Sequence, residues 1–193
     1  MKYENAINLQ RAIASKVIAH DYFSEIKRVC GVDVAYDGYT AYCSAVVMEK
    51  GKVVVESVEC KTTVSYPYVP GLLMLREATP IFQTIKLLKS YDLLLIDGHG
   101  LLHPRKCGLA CYVGVTLDKP TIGVAKSRLC GTVRPDGYIE VSNEILGCIV
   151  DRLYVSVGHR ISLETAIILV KKLGTEPLRL ADINSKARKR RKE

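Results

Sequence analysis

Residues 93–126 read LLLIDGHGLLHPRKCGLACYVGVTLDKPTIGVAK, and this stretch decides the class of fold. Leu93, Leu94, Leu95 and Ile96 are apolar without alternation, the pattern of a strand covered on both faces. Asp97-Gly98-His99-Gly100 then sets polar side chains on tight backbone at the carboxyl end of that strand. A short helix reads from about 108 to 117, and a second apolar strand, 120–125, ends on Lys126. In open α/β sheets, ligands and chemistry collect at the carboxyl ends of strands.

Working outward, Leu9, Ala12, Ile13 and Val17 recur at helical spacing, which predicts a helix over 5–19 with Asn5 as its cap. Segments 28–36, 40–48 and 52–60 are β-branched and apolar. They are separated by Asp37-Gly38 and Glu49-Lys50-Gly51, the signature of an antiparallel meander. A helix is expected from Leu72 to Ser90, bent or restarted at Pro80. Downstream come a hairpin at Pro135-Asp136-Gly137, a strand near 150–156 and a helix over 162–173. Three antiparallel strands followed by alternating strands and helices imply an α/β fold, a mixed sheet with helices on both faces. The ribonuclease H-like layout is one such fold. A single domain spans 1–185, and the basic run 186–193 reads as a disordered tail.

Composition narrows the function classes. The chain has 193 residues, 48% hydrophobic and 25% charged, which suits one soluble domain with a real core. It shows no apolar stretch of transmembrane length and no signal-peptide core at the amino terminus, so a cytoplasmic, monomeric protein without membrane contact is expected. Seven cysteines occur without a CxxC pair, and no further soft ligands stand at zinc spacing. They read as buried thiols in a reducing compartment. The net charge is +8, much of it in Lys186–Lys192, and such a run is attracted to phosphate.

Asp33 lies in mid-strand, on the face opposite Cys30, Val32 and Val34. It is either solvent-facing or paired, because a buried lone carboxylate is costly. Asp97 shifts that balance: were the two strands neighbours, their carboxylates would meet, and a divalent cation relieves such repulsion. Glu77 reads either as a surface glutamate paired with Arg76 or as a third ligand. Two aspartates and a glutamate form an oxygen-rich set suited to Mg2+ or Mn2+, the chemistry of phosphodiester hydrolysis. His99 and His103 are candidates for orienting water or contacting phosphate, or else structural. Lys126 is placed to neutralise a phosphate, or is a plain surface lysine. Gly98, Gly100 and Gly123 permit close backbone approach.

These segments, in this order, resemble the endonuclease V family, nucleases that recognise deaminated adenine. The resemblance rests on Gly31–Tyr36, Tyr68–Leu73 with Arg76-Glu77, Asp97–Gly100 with His103-Pro104-Arg105, Gly108–Ala110, Pro120–Lys126 and Ser156–Arg160. It implies a ribonuclease H-like fold, with Asp33, Glu77 and Asp97 as metal ligands and His103 and Lys126 in support. Pro67-Tyr68-Val69-Pro70 would be the wedge that holds the lesion out of the stack. Gly98, His99, Gly100 and Gly123 would flank the lesion. The implied activity is Mg2+-dependent hydrolysis of the second phosphodiester 3′ to deoxyinosine in damaged DNA, leaving 3′-hydroxyl and 5′-phosphate ends. The rival readings are an endoribonuclease acting on inosine in RNA and a noncatalytic nucleic-acid-binding protein of the same fold.

Overall fold

The computed structural model describes residues 3–50 and 52–191. One mixed sheet organises them. Its strands are β1 (Arg28–Asp37), β2 (Thr40–Glu49), β3 (Val53–Thr63), β4 (Leu93–Asp97), β5 (Thr121–Ala125), β6 (Thr132–Val133), β7 (Tyr138–Val141), β8 (Glu144–Val150) and β9 (Leu153–His159), in spatial order β3-β2-β1-β4-β5-β9-β8-β7-β6. β1, β4 and β5 run parallel at the centre, and the remaining pairings are antiparallel. The helices are α1 (Glu4–Ala14), α2 (Met74–Ile85), α3 (Leu109–Leu117), α4 (Leu163–Leu173) and α5 (Glu176–Arg190).

Period-two alternation sorts the central strands between two cores. Val29, Leu93, Leu95, Ile122 and Val124 pack with Ile167 and Val170 of α4 and Leu178 of α5. Cys30, Val32, Leu94 and Ile96 pack on the other face with Met74, Ile81 and Ile85 of α2 and Val113 of α3. The sheet is therefore covered on both sides, as the unbroken apolar run at 93–96 requires. This is the expected ribonuclease H-like arrangement.

The elements differ from their sequence expectations in specific ways. α1 stops at Ala14, and its N-cap is Tyr3 rather than Asn5; the chain beyond it turns so that Val17 packs into the core. α2 ends at Ile85, yet it runs through Pro80 without a break. The proline leaves the carbonyl of Arg76, four residues earlier, without its helical donor. The Tyr36 hydroxyl supplies one, at 3.2 Å. The strand expected near 150–156 is β9, starting at Leu153, while β8 before it was not anticipated.

The largest correction concerns the carboxyl end. Residues 186–190 are not a disordered tail but the last turn and more of α5. Charge composition alone misses what holds them. Ala181 and Ser185 are buried, Lys186 pairs with Asp182 one turn back at 2.7 Å, and Arg188 approaches Glu59 at 3.9 Å. Basic residues at a helix carboxyl end also complement its dipole. Residues 192 and 193 lie outside the described residues.

α5 can lie this close to β1 because of one residue. A Cβ on Gly31 would stand 2.2 Å from the Leu178 nitrogen and 2.3 Å from the Pro177 carbonyl carbon. Both neighbours are backbone, so neither can rotate away. Gly31→Ala is therefore expected to lift α5 from the sheet and cost about 1–3 kcal/mol, the usual penalty for overpacking. Urea denaturation measures it, and an unchanged midpoint would mean that α5 is not seated on β1.

Candidate active site

The parallel register sets the first two carboxylates. Val32 pairs with Ile96 in the last aligned position of β1 and β4, and Asp33 and Asp97 follow one residue later on each strand. Alternation turns both toward the α5 face. There Asp182 of α5 joins them, and oxygens of Asp33, Asp97 and Asp182 lie within 4.8 Å of one another. Glu77 comes from α2, on the other face of the sheet, and lines the same cleft of about 680 Å³.

Burial and the neighbouring negative charges both act on the ionisation of Asp33 and Glu77. Burial, then the charge of Asp97, pushes the Asp33 carboxyl up to about 6 against the lowering effect of Ser185. Burial followed by Asp33 and Asp97 holds Glu77 well above the usual carboxylate range. Ser185 is fully buried and shares its hydroxyl between Asp33 Oδ2 and the Asp182 carbonyl, each at 3.0 Å.

Lys126, at the end of β5, donates to Asp97 at 2.6 Å and lies 3.4 Å from Asp182. Burial works against its ammonium, but the hydrogen bond and charge of Asp97 outweigh this and raise its pKa. Burial also opposes ionisation of Asp182, which Lys186 and Lys126 reverse, lowering its pKa. An all-oxygen, crowded and partly buried donor set of this kind fits a hard divalent cation of the magnesium or manganese class.

A second cavity of about 220 Å³ opens beside the carboxylates, with Asp97 and Lys126 in its wall. That is below the roughly 300–1,000 Å³ of drug-sized pockets and suits a single flat base. Gly98, His99, Gly108 and Leu109 contribute to its lining. A Cβ on Gly123 would fall 2.5 Å from the Gly100 nitrogen and 2.6 Å from the Gly98 oxygen, so β5 and the turn after β4 touch backbone to backbone. The expected close approach at these glycines is thus made by the chain to itself. Tyr68 is 64% exposed and stands at the rim of both cavities.

His103 sits in the wall of the smaller cavity, not among the carboxylates. Its Nε2 lies 3.0 Å from the Gly71 carbonyl, which can only accept. Its Nδ1 accepts the Arg105 backbone N–H at 3.1 Å. Burial pushes its pKa down to about 4, so the ring is neutral and both nitrogens are occupied. This geometry makes His103 a brace for the loop at Gly71 and leaves it no free nitrogen for water or metal.

Three residues that complete this arrangement escaped sequence reading. Asp182 and its neighbour Ser185 belong to the helix mistaken in part for a tail. Gln10, 1% exposed, donates to the carbonyls of Gly71 at 3.0 Å and Cys107 at 2.8 Å, and accepts from Arg105 Nε at 2.6 Å. It ties α1 to the two loops that wall the base-sized cavity. A lone glutamine on an apolar helix face was the only signal. His99 bonds the Ser127 carbonyl through Nε2 at 2.9 Å and edges onto Tyr154. Among the described residues no helix is long and apolar enough to cross a membrane, and five of the seven cysteines are buried as free thiols.

Known proteins share this fold. Residues 11–183 match the endonuclease V family. The endonuclease V of Sulfurisphaera tokodaii is 44% identical over 191 residues, covering 96% of this chain and 95% of that protein. That of Thermofilum pendens is 44% identical over 203 residues, covering 95% and 88%. The crystal structure of Ciona intestinalis endonuclease V, in complex with DNA containing an inosine followed by a ribo-adenosine, superposes with a TM-score of 0.87 at 28% identity over 100% of this chain and 99% of that one. The catalytic domain of human endonuclease V gives 0.87 at 29% identity, over 99% and 97%. With the family matched over most of its length, this chain belongs to the endonuclease V family of nucleases.

Proposed function

We propose that the protein is a Mg2+-dependent endonuclease, with Mn2+ able to substitute, that recognises hypoxanthine in damaged DNA. It hydrolyses the second phosphodiester on the 3′ side and leaves 3′-hydroxyl and 5′-phosphate ends. The observation that carries this reading is the shared wall. Asp97 and Lys126 line both the base-sized cavity and the acidic cleft, so an extruded base and a phosphate further along the strand can be held at once. Five free buried cysteines and two partly exposed ones are compatible with work in the reducing cytoplasm.

Asp33, Asp97 and Asp182 would hold the cation, with Glu77 beside them. A bound divalent ion supplies charge stabilisation to the phosphoryl oxygens as the bond to the leaving group breaks. The protein's own groups do the rest. Lys126 presents a permanent cation to the phosphate from the rim of the cleft. Tyr68 offers an exposed ring to replace the stacking partner lost when the base is extruded, and Pro67 and Pro70 stiffen the loop that carries it. Enclosure of the base selects hypoxanthine: its 6-carbonyl and N1–H invert adenine's donor and acceptor, and the wrong pattern leaves a buried group unmatched.

A second reading, cleavage of inosine in RNA, is favoured by one observation. The strand bound by the Ciona protein carries a ribonucleotide directly after the inosine. Matched inosine and adenosine strands of DNA, RNA and DNA with one such ribonucleotide, incubated with Mg2+ or chelator and mapped for the cut, test both. Inosine-dependent, chelator-sensitive cutting of DNA is expected; cutting of the adenosine strand at the same rate would defeat the proposal.

Asp33→Asn should abolish cutting yet stabilise the metal-free protein. The folded pKa of Asp33 lies above its unfolded value, so the folded state binds more protons between about pH 4 and about pH 6. That contribution to stability is present at low pH and is lost as the pH rises through this window. The neutral asparagine avoids the loss, and at pH 8 in chelator it should gain on the order of 1–3 kcal/mol. Urea melts of both proteins at pH 4 and pH 8 read the difference, and a variant less stable than wild type at pH 8 would contradict the account of the cluster.

Tyr68→Ala should weaken binding to inosine strands more than to undamaged ones, by about 1–3 kcal/mol for the lost stacking. Equal losses on both strands would reduce Tyr68 to a general contact.

A further inference from the structure

The acidic cleft does not end at the carboxylates. Beyond them it is lined by Tyr36, Tyr39 and Arg76 and, from α5, by Lys186. Tyr39 sits in the turn between β1 and β2 and is 57% exposed. Its hydroxyl forms no hydrogen bond among the described residues, and its ring faces the Arg76 guanidinium at 6.0 Å.

Arg76 is fixed beside it. One terminal nitrogen donates to the Tyr66 carbonyl at 2.6 Å and the other to the Gly38 carbonyl at 2.7 Å. The guanidinium therefore links the loop that carries Tyr68 to the turn that carries Tyr39. It lies 4.1 Å from the centre of the Tyr36 ring and 6.0 Å from that of Tyr39. Tyr36 is itself anchored, through its hydroxyl, on the carbonyl that Pro80 leaves without a helical donor. An aromatic ring beside an immobilised guanidinium plane is the surface on which nucleobases stack, without regard to sequence.

We propose that Tyr39, with Arg76 behind it, forms a nucleobase-stacking subsite for the strand on the 3′ side of the cut. The inference rests on the nuclease reading, which fixes the direction. With the lesion in the smaller cavity and a phosphate further 3′ at the carboxylates, the strand continues into this part of the cleft. Lys186, 54% exposed at its side chain, lines the same cleft and offers a cation to the next phosphates. Stacking there would hold the product strand on the enzyme after hydrolysis, independently of the lesion.

The test places 2-aminopurine, whose fluorescence is quenched on stacking, at successive positions in inosine and adenosine single strands bound in chelator. Wild type and Tyr39→Phe should quench it at the second and third nucleotides 3′ of the inosine. Tyr39→Ala should lose that quenching and bind about tenfold more weakly, but only to strands that extend past the cut. Quenching unchanged in Tyr39→Ala, or a loss equal for strands ending at the cut, would overturn the subsite and leave Tyr39 a surface residue or a contact for another partner. The nuclease reading fails separately, if the wild type cuts inosine strands no better than adenosine strands in Mg2+. Quenching past the inosine that depends on Tyr39 would then still establish the stacking surface.

Discussion

Repulsion among Asp33, Glu77, Asp97 and Asp182 is the constraint around which this molecule is built. Neutral, hydrogen-bonded groups would sit more comfortably at the end of a sheet, and burial first, then the neighbouring charges, raises the pKa values of Asp33 and Glu77. A fold tolerates such a cost only if the rest of the structure holds the groups in place. Here the backbone does it. Asp33 and Asp97 sit on neighbouring parallel strands, Asp182 on a helix that Gly31 admits to van der Waals contact with β1, and Glu77 on a helix packed against the opposite face. No single loop movement can disperse the cluster.

Two cationic groups act within this constraint, differently. Lys126 reaches the carboxylates directly, and its bond to Asp97 supplies part of the charge compensation that a divalent ion would complete. Lys186 compensates Asp182 from the solvent side, one helical turn away. Because Lys126 also lines the base-sized cavity, the group that balances the acids stands where it can register a bound nucleotide.

The sequence made the strands of the sheet centre, their faces and the Asp33–Asp97 pair legible because period-two alternation and strand adjacency leave few alternatives. The unbroken apolar run at 93–96 required cover on both faces, and Asp33 had to oppose Val32 and Val34. Asp182 was invisible for a different reason. Its helix has a mostly polar surface and owes its place to Leu178 and Ser185 meeting β1 and Ala181 meeting β2, long-range contacts that local composition does not encode. His103 shows the converse. Its residue type and position near Asp97 pointed to chemistry, whereas its partners, Gly71 and Arg105, reveal a brace. Which nitrogen of a histidine is free is a tertiary fact, and no spacing rule carries it.

The same distinction bears on Gly71. Its carbonyl accepts from Gln10, His103 and Arg105, at 3.0, 3.0 and 2.7 Å, more donors than one carbonyl ordinarily satisfies. Three donors from α1 and from the loop after β4 fix the residue that follows the Pro67–Pro70 loop, and Arg76 fixes the residue before it through the Tyr66 carbonyl. The loop is thus clamped at both ends while Tyr68 at its middle remains exposed. In the proposed wedge role Tyr68 would gain from such rigidity, because the ordering cost is met in folding rather than on binding. The buried polar network around Gly71 is therefore better understood as preorganisation of the loop than as a source of stability, and the neutral, doubly bonded His103 is part of that network.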